Sequence, residues 1–222
     1  MMHKNEVNLE SIVSRLNDDG YAVVEEFLPA SVIQKLGKLA KKHFAQNNMQ
    51  AAKIGLKNKL RNNAIRGDHI IWLEEDSQNE DINNYFDQMC VLKKAFNQQL
   101  FLNVHEIESH FAIYPIGAFY QKHLDQFGHF STDLKLTDQA LNIQMSNLQA
   151  RQISSVLYLN ENWLASDGGQ LRLFLKEDDF IDVLPNAGRL VLFLSAQFWH
   201  EVLPAKVERL SIAGWFRSRN RI

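Results

Sequence analysis

The sequence has a single cysteine, no long apolar run and no large excess of either charge. The single cysteine, Cys90, cannot form an internal disulfide, and it cannot build a thiolate zinc site, which needs several ligands of this kind. No apolar run approaches the roughly 18 residues of a spanning helix, and residues 1–10 lack the pattern of a signal peptide. We therefore expect a protein of the reducing cytoplasm with no membrane partner.

The charge balance also excludes a class of partner. Lysine and arginine total 24 against 26 aspartate and glutamate residues, which gives a formal net charge of -2. This leaves no surplus of cations to attract phosphate backbones, so no nucleic-acid partner is expected. A chain of 222 residues with 45% hydrophobic residues can build one sizeable core. The sequence therefore predicts a single domain over residues 1–222.

Apolar residues recur at helical spacing through the first half of the chain. The pattern predicts helices over residues 9–16, from Pro29 and Ser31 to Ala40, and over residues 81–102. A short strand over residues 21–25 is expected between the first two helices. Residues 46–66 show no clear period and are expected to form a loop. Residues 1–102 should thus form a mainly helical support.

After Asn103 the pattern changes to short β-rich runs separated by turn signals. The predicted strands cover residues 110–114, 118–124, 153–159, 170–174, 189–194, 200–203 and 209–217. Helices followed by such strands predict an α+β architecture, in which helices back one sheet of an antiparallel barrel or sandwich. Residues 103–222 should form this core.

Two histidines and one aspartate are candidates for a metal site. His123 and Asp125 lie two positions apart in a predicted strand, so their side chains should project from the same face. An isolated pair of this kind is more often a polar surface pair. His200 strengthens the pattern, because two histidines and a carboxylate on one face of Fe(II) leave three positions open for a 2-oxo acid and dioxygen. His129 is a weaker alternative ligand, since the chain there has left the strand.

Arg209 is a candidate anion-binding residue. A short turn over residues 205–208 would fold its strand back beside His200, and a guanidinium inside a barrel can bind a carboxylate through two parallel hydrogen bonds. Taken alone, Arg209 would more often be a surface residue paired with Glu208 or Glu201. The remaining histidines lack a convergent partner in the sequence; they are His3, His43, His69, His105 and His110.

The joint order of these motifs resembles the prolyl 4-hydroxylase branch of the 2-oxoglutarate oxygenases, in particular the hypoxia-factor prolyl hydroxylases and their bacterial relatives. The motifs are His123-x-Asp125, Tyr158-Leu159-Asn160, Gly168-Gly169-x-Leu171-Arg172-Leu173-Phe174, His200-Glu201-Val202 and Arg209. The resemblance covers about residues 65–216. It includes Ile65-Arg66-Gly67-Asp68, which is similar to a substrate-side segment of those enzymes.

The resemblance implies a double-stranded β-helix, a barrel of the jelly-roll type, and a role for each motif residue. It implies that His123, Asp125 and His200 bind iron. It implies that Arg209 and the Tyr158 hydroxyl bind the distal carboxylate of 2-oxoglutarate, while Tyr114 and Trp215 line the cofactor pocket. The substrate-side residues that it implies are Arg151, Arg66, Asp68 and Trp72.

The activity implied by the resemblance is Fe(II)- and 2-oxoglutarate-dependent hydroxylation of a prolyl residue in a protein, with formation of succinate and CO₂. Ascorbate is a further implied cofactor. Bacterial relatives act on a proline of a translation elongation factor, so such a factor is the expected partner. Two alternatives stay open: the same chemistry on another residue or a small molecule, and a metal- or ligand-sensing barrel without turnover. Arg209 with Tyr158 disfavours a bare metal-storage barrel, which needs no anion partner.

Two features depart from the hypoxia-type pattern. Residues 126–150 form a polar segment much longer than the short turn that follows the carboxylate ligand in those enzymes. A flap of this length is expected to close over an extended peptide. Ala213 stands where those enzymes carry a hydroxyl-bearing residue in the pocket, and this exchange should change the water network of the site.

Overall fold

The computed structural model describes residues 8–52, 65–126, 151–175 and 179–219. The helices in these ranges are α1 (Leu9–Asp18), α2 (Ala30–Ala45) and α3 (Glu80–Gln99), with a short 3₁₀ helix at Ala165–Asp167. The strands are β1 (Tyr21–Val24), β2 (Gln50–Ala51), β3 (His69–Trp72), β4 (Val104–Tyr114), β5 (Tyr120–His123), β6 (Arg151–Tyr158), β7 (Leu171–Phe174), β8 (Phe180–Val183), β9 (Leu190–Leu194), β10 (His200–Val202) and β11 (Arg209–Ser218).

Asparagine side chains begin two of the helices. The Ser11 amide donates to Asn8 Oδ1 at 3.0 Å at the start of α1, and Asn79 accepts from two amides at the start of α3. The third helix ends at Gln99, three residues before its predicted end at residue 102. Phe101 and Asn103 both have positive φ angles, 54° and 53°, which a continuing helix cannot accommodate.

The strands form two antiparallel sheets. The large sheet has the order β1-β9-β6-β11-β4-β3-β2, and the small sheet has the order β5-β10-β7-β8. The α+β jelly-roll prediction is confirmed by this sheet-rich core with a few helices. The last strand, β11, lies in the centre of the large sheet between β4 and β6. The residues of β11 therefore contact both halves of that sheet.

The two faces of the large sheet have different roles. Leu210, Ile212 and Phe216 of β11 belong to the hydrophobic core that includes the three helices. Tyr114 of β4 and Tyr158 of β6 belong instead to a second core, together with residues of the small sheet. Successive side chains of a strand point to opposite faces. The alternate residues of β11, beginning with Arg209, therefore point into the space between the sheets, which we call the inner space.

Some strands differ from the predicted ones. The fourth strand begins at Val104 rather than at the predicted residue 110. Its first half is rich in polar residues, so the sequence pattern did not indicate a strand there. The short edge strand β8 and the strand β3 were not predicted, and β2 lies in the predicted loop over residues 46–66. In the first half of the chain, β1, β2 and β3 join the large sheet alongside the helices. In the described part of the chain, no helix is long and apolar enough to cross a membrane.

One buried side chain connects β6, the turn before β9, and β11. Asn160 donates to the carbonyl oxygens of Pro185 at 2.8 Å and Leu210 at 3.0 Å, and its Oδ1 accepts from the Leu210 amide at 2.7 Å. Buried backbone groups need such partners, since an unpaired one is costly. Asn160 thereby fixes the start of β11, next to Arg209.

We expect Asn160→Ala to lower the free energy of unfolding by about 3 kcal/mol, because three buried hydrogen bonds at about 1 kcal/mol each are lost. Urea unfolding followed by circular dichroism measures this change. The control is Asn17→Ala on the exposed side of α1, which should change the free energy of unfolding by less than about 0.5 kcal/mol. Similar values for the two variants would contradict the connecting role of Asn160.

Candidate metal centre and cosubstrate pocket

Three potential metal ligands meet at the edge of the inner space. His123 ends β5 and pairs in register with His200, which begins β10. Asp125 follows β5, and its Oδ1 lies 3.7 Å from His123 Nε2 while its Oδ2 lies 3.6 Å from His200 Nε2. The ligand atoms of the three residues all lie within 4.8 Å of one another. The structure therefore brings together the three residues that the sequence analysis selected.

Backbone carbonyl groups orient both imidazole rings. Nδ1 of His123 lies 2.8 Å from the Gln121 oxygen, and Nδ1 of His200 lies 3.1 Å from the Phe198 oxygen. Because a carbonyl can only accept, Nδ1 carries the proton in each hydrogen bond, and the Nε2 lone pair points to the centre of the site. Burial lowers the pKa of His123 to about 3, so its imidazole is neutral and able to bind a cation.

Two serines orient the carboxylate. Ser154 Oγ donates to Asp125 Oδ2 at 2.7 Å, and it lies 2.8 Å from Ser195 Oγ. Burial opposes ionisation of Asp125, but the nearby histidines, Arg151 and the Ser154 hydrogen bond outweigh it and lower the pKa of Asp125. Sequence reasoning missed both serines. The available signal was the two-residue spacing that places Ser154, Val156 and Tyr158 on one face of a predicted strand.

A chain of contacts supports the ring of His123. Tyr120 stacks on His123 with ring centroids 3.6 Å apart, and the guanidinium of Arg66 lies 4.6 Å from the Tyr120 centroid. Arg66 in turn donates to Asp68 at 2.6 and 2.8 Å. The role of Arg66 and Asp68 in substrate binding stays a prediction. The structure gives each of them an internal partner, and this pair supports Tyr120.

The guanidinium of Arg209 lies between two tyrosines in the inner space. Arg209 is 1% exposed, its Nε donates to the Gly169 oxygen at 2.9 Å, and its Cζ lies about equally far from the rings of Tyr114 (5.1 Å) and Tyr158 (5.0 Å). Within the described ranges, Arg209 forms no ion pair with a carboxylate. Arg209 Nη2 and the Tyr158 hydroxyl also have no hydrogen-bond partner there.

The chemistry of these residues fits both Fe(II) and a dicarboxylic cosubstrate. Two neutral imidazoles and one carboxylate are the ligand set of non-haem Fe(II) oxygenases. Separations of 3.6–3.7 Å suit two ligands of one ion, which lie at most about 4.2 Å apart when each bond is about 2.1 Å. A buried guanidinium with an unpaired nitrogen fits a carboxylate, since an uncompensated buried charge is costly.

Aromatic and charged side chains surround the opening of the inner space. The guanidinium of Arg151 lies 3.5 Å from the Trp215 ring centroid, and Glu108 Oε2 lies 3.9 Å from Arg151. The ring of Trp72 lies 6.4 Å from that of Trp215, and Trp72 is 54% exposed. Three of the predicted site residues, Arg151, Trp72 and Trp215, are thus brought together. We call this group, with Glu108, the rim.

Two predictions lie outside the described residues. The first is the predicted flap over residues 126–150, of which only Gln126 is described. The second is the alternative ligand His129, which belongs to the same segment. Ala213 is described: it lies on the inner face of β11, in register with His110 of β4. His110 is a buried histidine of the site for which sequence reasoning found no partner.

Comparison with known proteins gives consistent matches. The sequence profile of the 2OG-Fe(II) oxygenase superfamily matches residues 109–217. A solved prolyl-4-hydroxylase from Pseudomonas putida is 40% identical, with a TM-score of 0.79 over 95% of this chain and 99% of that chain. A prolyl hydroxylase from Trichoplax adhaerens, solved with a hypoxia-inducible factor peptide, is 25% identical with a TM-score of 0.79 over 95% of this chain and 89% of that chain.

A curated relative extends well beyond the matched region. The hypoxia-inducible factor prolyl hydroxylase of Caenorhabditis elegans is 28% identical over 225 residues, which are 95% of this chain and 28% of that protein. The chain therefore spans less than a third of the length of this relative.

We expect Ser154→Ala to weaken Fe(II) binding by roughly tenfold to a hundredfold, because the carboxylate of Asp125 loses the hydroxyl that orients it. Titration of the metal-free protein with Fe(II) under nitrogen measures the dissociation constant, and His200→Ala, which removes a ligand, should bind more weakly still. Ser155→Ala, on the opposite face of the same strand, is the matched control. An unchanged constant for Ser154→Ala would show that the hydroxyl does not orient Asp125.

We expect Arg209→Ala to raise the 2-oxoglutarate dissociation constant about tenfold to a hundredfold, because a buried charge-assisted hydrogen bond contributes roughly 1.5–3 kcal/mol. Arg209→Lys should recover only part of the affinity, since an ammonium cannot form the planar double contact. Calorimetry with Mn(II) in place of Fe(II) measures the constant. Arg172→Ala, which removes an arginine paired with Asp182 on the small sheet, should leave it unchanged. A normal constant for Arg209→Ala would place 2-oxoglutarate elsewhere.

Proposed function

Because the chain belongs to the 2OG-Fe(II) oxygenase superfamily, we propose that it hydroxylates a prolyl residue of a protein substrate with formation of succinate and CO₂. The observation that most directly supports this proposal is that two binding sites face the same inner space. The three-ligand cluster of His123, Asp125 and His200 adjoins the pocket of Arg209 and Tyr158. A 40% identity to the Pseudomonas prolyl-4-hydroxylase over nearly the whole of both chains supports the choice of reaction.

In this proposal each group of residues has a defined task. His123, Asp125 and His200 bind Fe(II), while Arg209 pairs with the distal carboxylate of 2-oxoglutarate. When bound, the iron and 2-oxoglutarate supply the oxidising chemistry, in which dioxygen converts a substrate C–H bond to C–OH as the cosubstrate loses CO₂. Burial raises the pKa of Tyr158, so its hydroxyl stays protonated and can donate to the same carboxylate.

The residues around the pocket exclude water from the reaction. Burial also raises the pKa of Tyr114, which keeps this pocket-lining residue neutral. Leu173, Val191 and Phe193 belong to the apolar core between the sheets, around the pocket. A dry site strengthens the pairing of Arg209 with a carboxylate and protects a reactive centre from side reactions.

We further propose that the rim and the segment before β3 bind the substrate, with Arg151, Trp72, Arg66 and Asp68 as its contacts. The exposed indole of Trp72 supports this, because a flat aromatic face packs well against a proline ring. A translation elongation factor is the proposed partner, and this partner would place the enzyme in the cytoplasm. Ascorbate is the proposed reductant that keeps the iron in its Fe(II) state.

The test is a reaction of the purified protein with a bacterial elongation factor, Fe(II), 2-oxoglutarate and ascorbate. We expect one added oxygen atom on a proline, located by peptide mass spectrometry, with one succinate formed per modified site. The His200→Ala variant, which lacks a proposed ligand, should give neither product.

The alternatives predict other products in the same experiment. Iron-dependent succinate formation with an unmodified elongation factor would direct the search to other proteins or to small molecules in a cell lysate. The absence of succinate under all conditions would contradict the enzymatic proposal and favour a metal- or ligand-sensing barrel.

A further inference from the structure

His110 lies deep in the inner space, at the level between the cosubstrate pocket and the rim. The register of β4 with β11 pairs Tyr114 with Arg209, His110 with Ala213 and Glu108 with Trp215. Residues on the same face of a strand are about 6.8 Å apart when they are neighbours. The His110 and Ala213 pair therefore lies two such steps from Arg209 and one step from Trp215.

The ring of His110 completes a group of three aromatic rings. Its centroid lies 5.0 Å from that of Trp72 and 5.5 Å from that of Trp215. The exposed fraction falls from 54% for Trp72 to 2% for His110. The group therefore extends from the exposed rim to the buried interior.

Both ring nitrogens of His110 lack a hydrogen-bond partner among the described residues, and so does Nε1 of Trp215. An unpaired buried polar group is costly, and native structures rarely leave several of them in one cluster. Ala213, opposite His110 in the sheet, offers only a methyl group. The nitrogens of His110 and Trp215 are thus available to a ligand in the inner space.

The charge state of His110 indicates the chemistry of that ligand. Burial lowers the pKa of His110 to about 3; the charges of Arg66 and Arg151 act in the same direction, against Asp68 and Asp125. The imidazole is therefore neutral, with one N–H donor and one bare acceptor nitrogen. This pair complements a neutral amide group, which also has a donor and an acceptor, better than it complements a carboxylate.

We propose that His110 is a substrate-binding residue that forms hydrogen bonds with a backbone peptide group of the protein substrate beside the target residue. This inference rests on the proposed function, because it requires a polypeptide in the inner space. His110 fixes how far the polypeptide enters, and Trp72 and Trp215 pack against its side chains. The Trp215 N–H is a second donor for the same backbone.

The test compares three variants in a binding assay that needs no turnover. Short synthetic peptides, each centred on one proline of a bacterial elongation factor, are titrated into the metal-free protein, and the fluorescence of its tryptophans is followed. His110→Phe keeps an aromatic ring beside the two tryptophans but removes both nitrogens, and we expect it to raise the dissociation constant of the binding peptide about tenfold. His110→Gln restores a donor and an acceptor and should bind within about threefold of the wild type.

Two controls separate peptide binding from structural damage. His105→Phe makes the same substitution on the exposed side of β4 and should leave the peptide dissociation constant unchanged. The second control is the integrity of His110→Phe itself: its iron affinity and its far-UV circular dichroism spectrum should match those of the wild type. In steady-state assays the loss should appear mainly in the KM for the peptide.

The outcomes distinguish this inference from the proposed function. Normal peptide binding by His110→Phe would overturn the inference while prolyl hydroxylation by the wild type still stood. A loss of iron affinity in His110→Phe as large as its loss of peptide binding would assign His110 a structural role and also overturn the inference. If the wild type neither binds nor hydroxylates any of the peptides, the proposed substrate class fails, and the inference fails with it.

Discussion

The alternation of side chains along β11 connects the stability of this protein to its chemistry. Leu210, Ile212 and Phe216 pack against the helices, while the residues between them face the inner space. Since β11 pairs with β4 on one side and β6 on the other, a shift of one residue would turn every site residue of the strand to the wrong face. The hydrophobic core therefore holds Arg209 and Trp215 in position, and Asn160 secures the first residues of the strand.

The polar groups of the inner space differ in charge from one region to the next. Arg209 provides a buried positive charge at one end, and His123 provides a neutral imidazole at the metal cluster. His110 is neutral as well, and the charged side chains of Arg151 and Glu108 lie at the rim. Each of these regions thus suits a different partner: a carboxylate, a metal ion, an amide and the surface of a protein.

The parts of the site that were predictable from sequence depend on spacing within one strand or on a recognisable motif. His123 and Asp125 share a face because they are two residues apart, and His200 and Arg209 belong to the motif order of the resemblance. Ser154 and His110 could not be selected this way, since their roles follow from how β4, β6 and β11 align, and composition does not specify that register. The polar start of β4 was missed for a related reason: Glu106 and Glu108 pair with Arg217, which lies about a hundred residues further along the chain.

The central position of β11 also affects the order in which the chain folds. Among the described strands β11 is translated last, yet it must insert between β4 and β6, which are translated before it. Pairings such as Tyr114 with Arg209 join distant parts of the chain, and such non-local contacts form slowly. His123 and Asp125 are translated more than 80 residues before Arg209, but His200 precedes Arg209 by only nine residues, so the third metal ligand and the cation of the pocket become available almost together. The topology thus delays assembly of the complete site until β11 has inserted between its two neighbours.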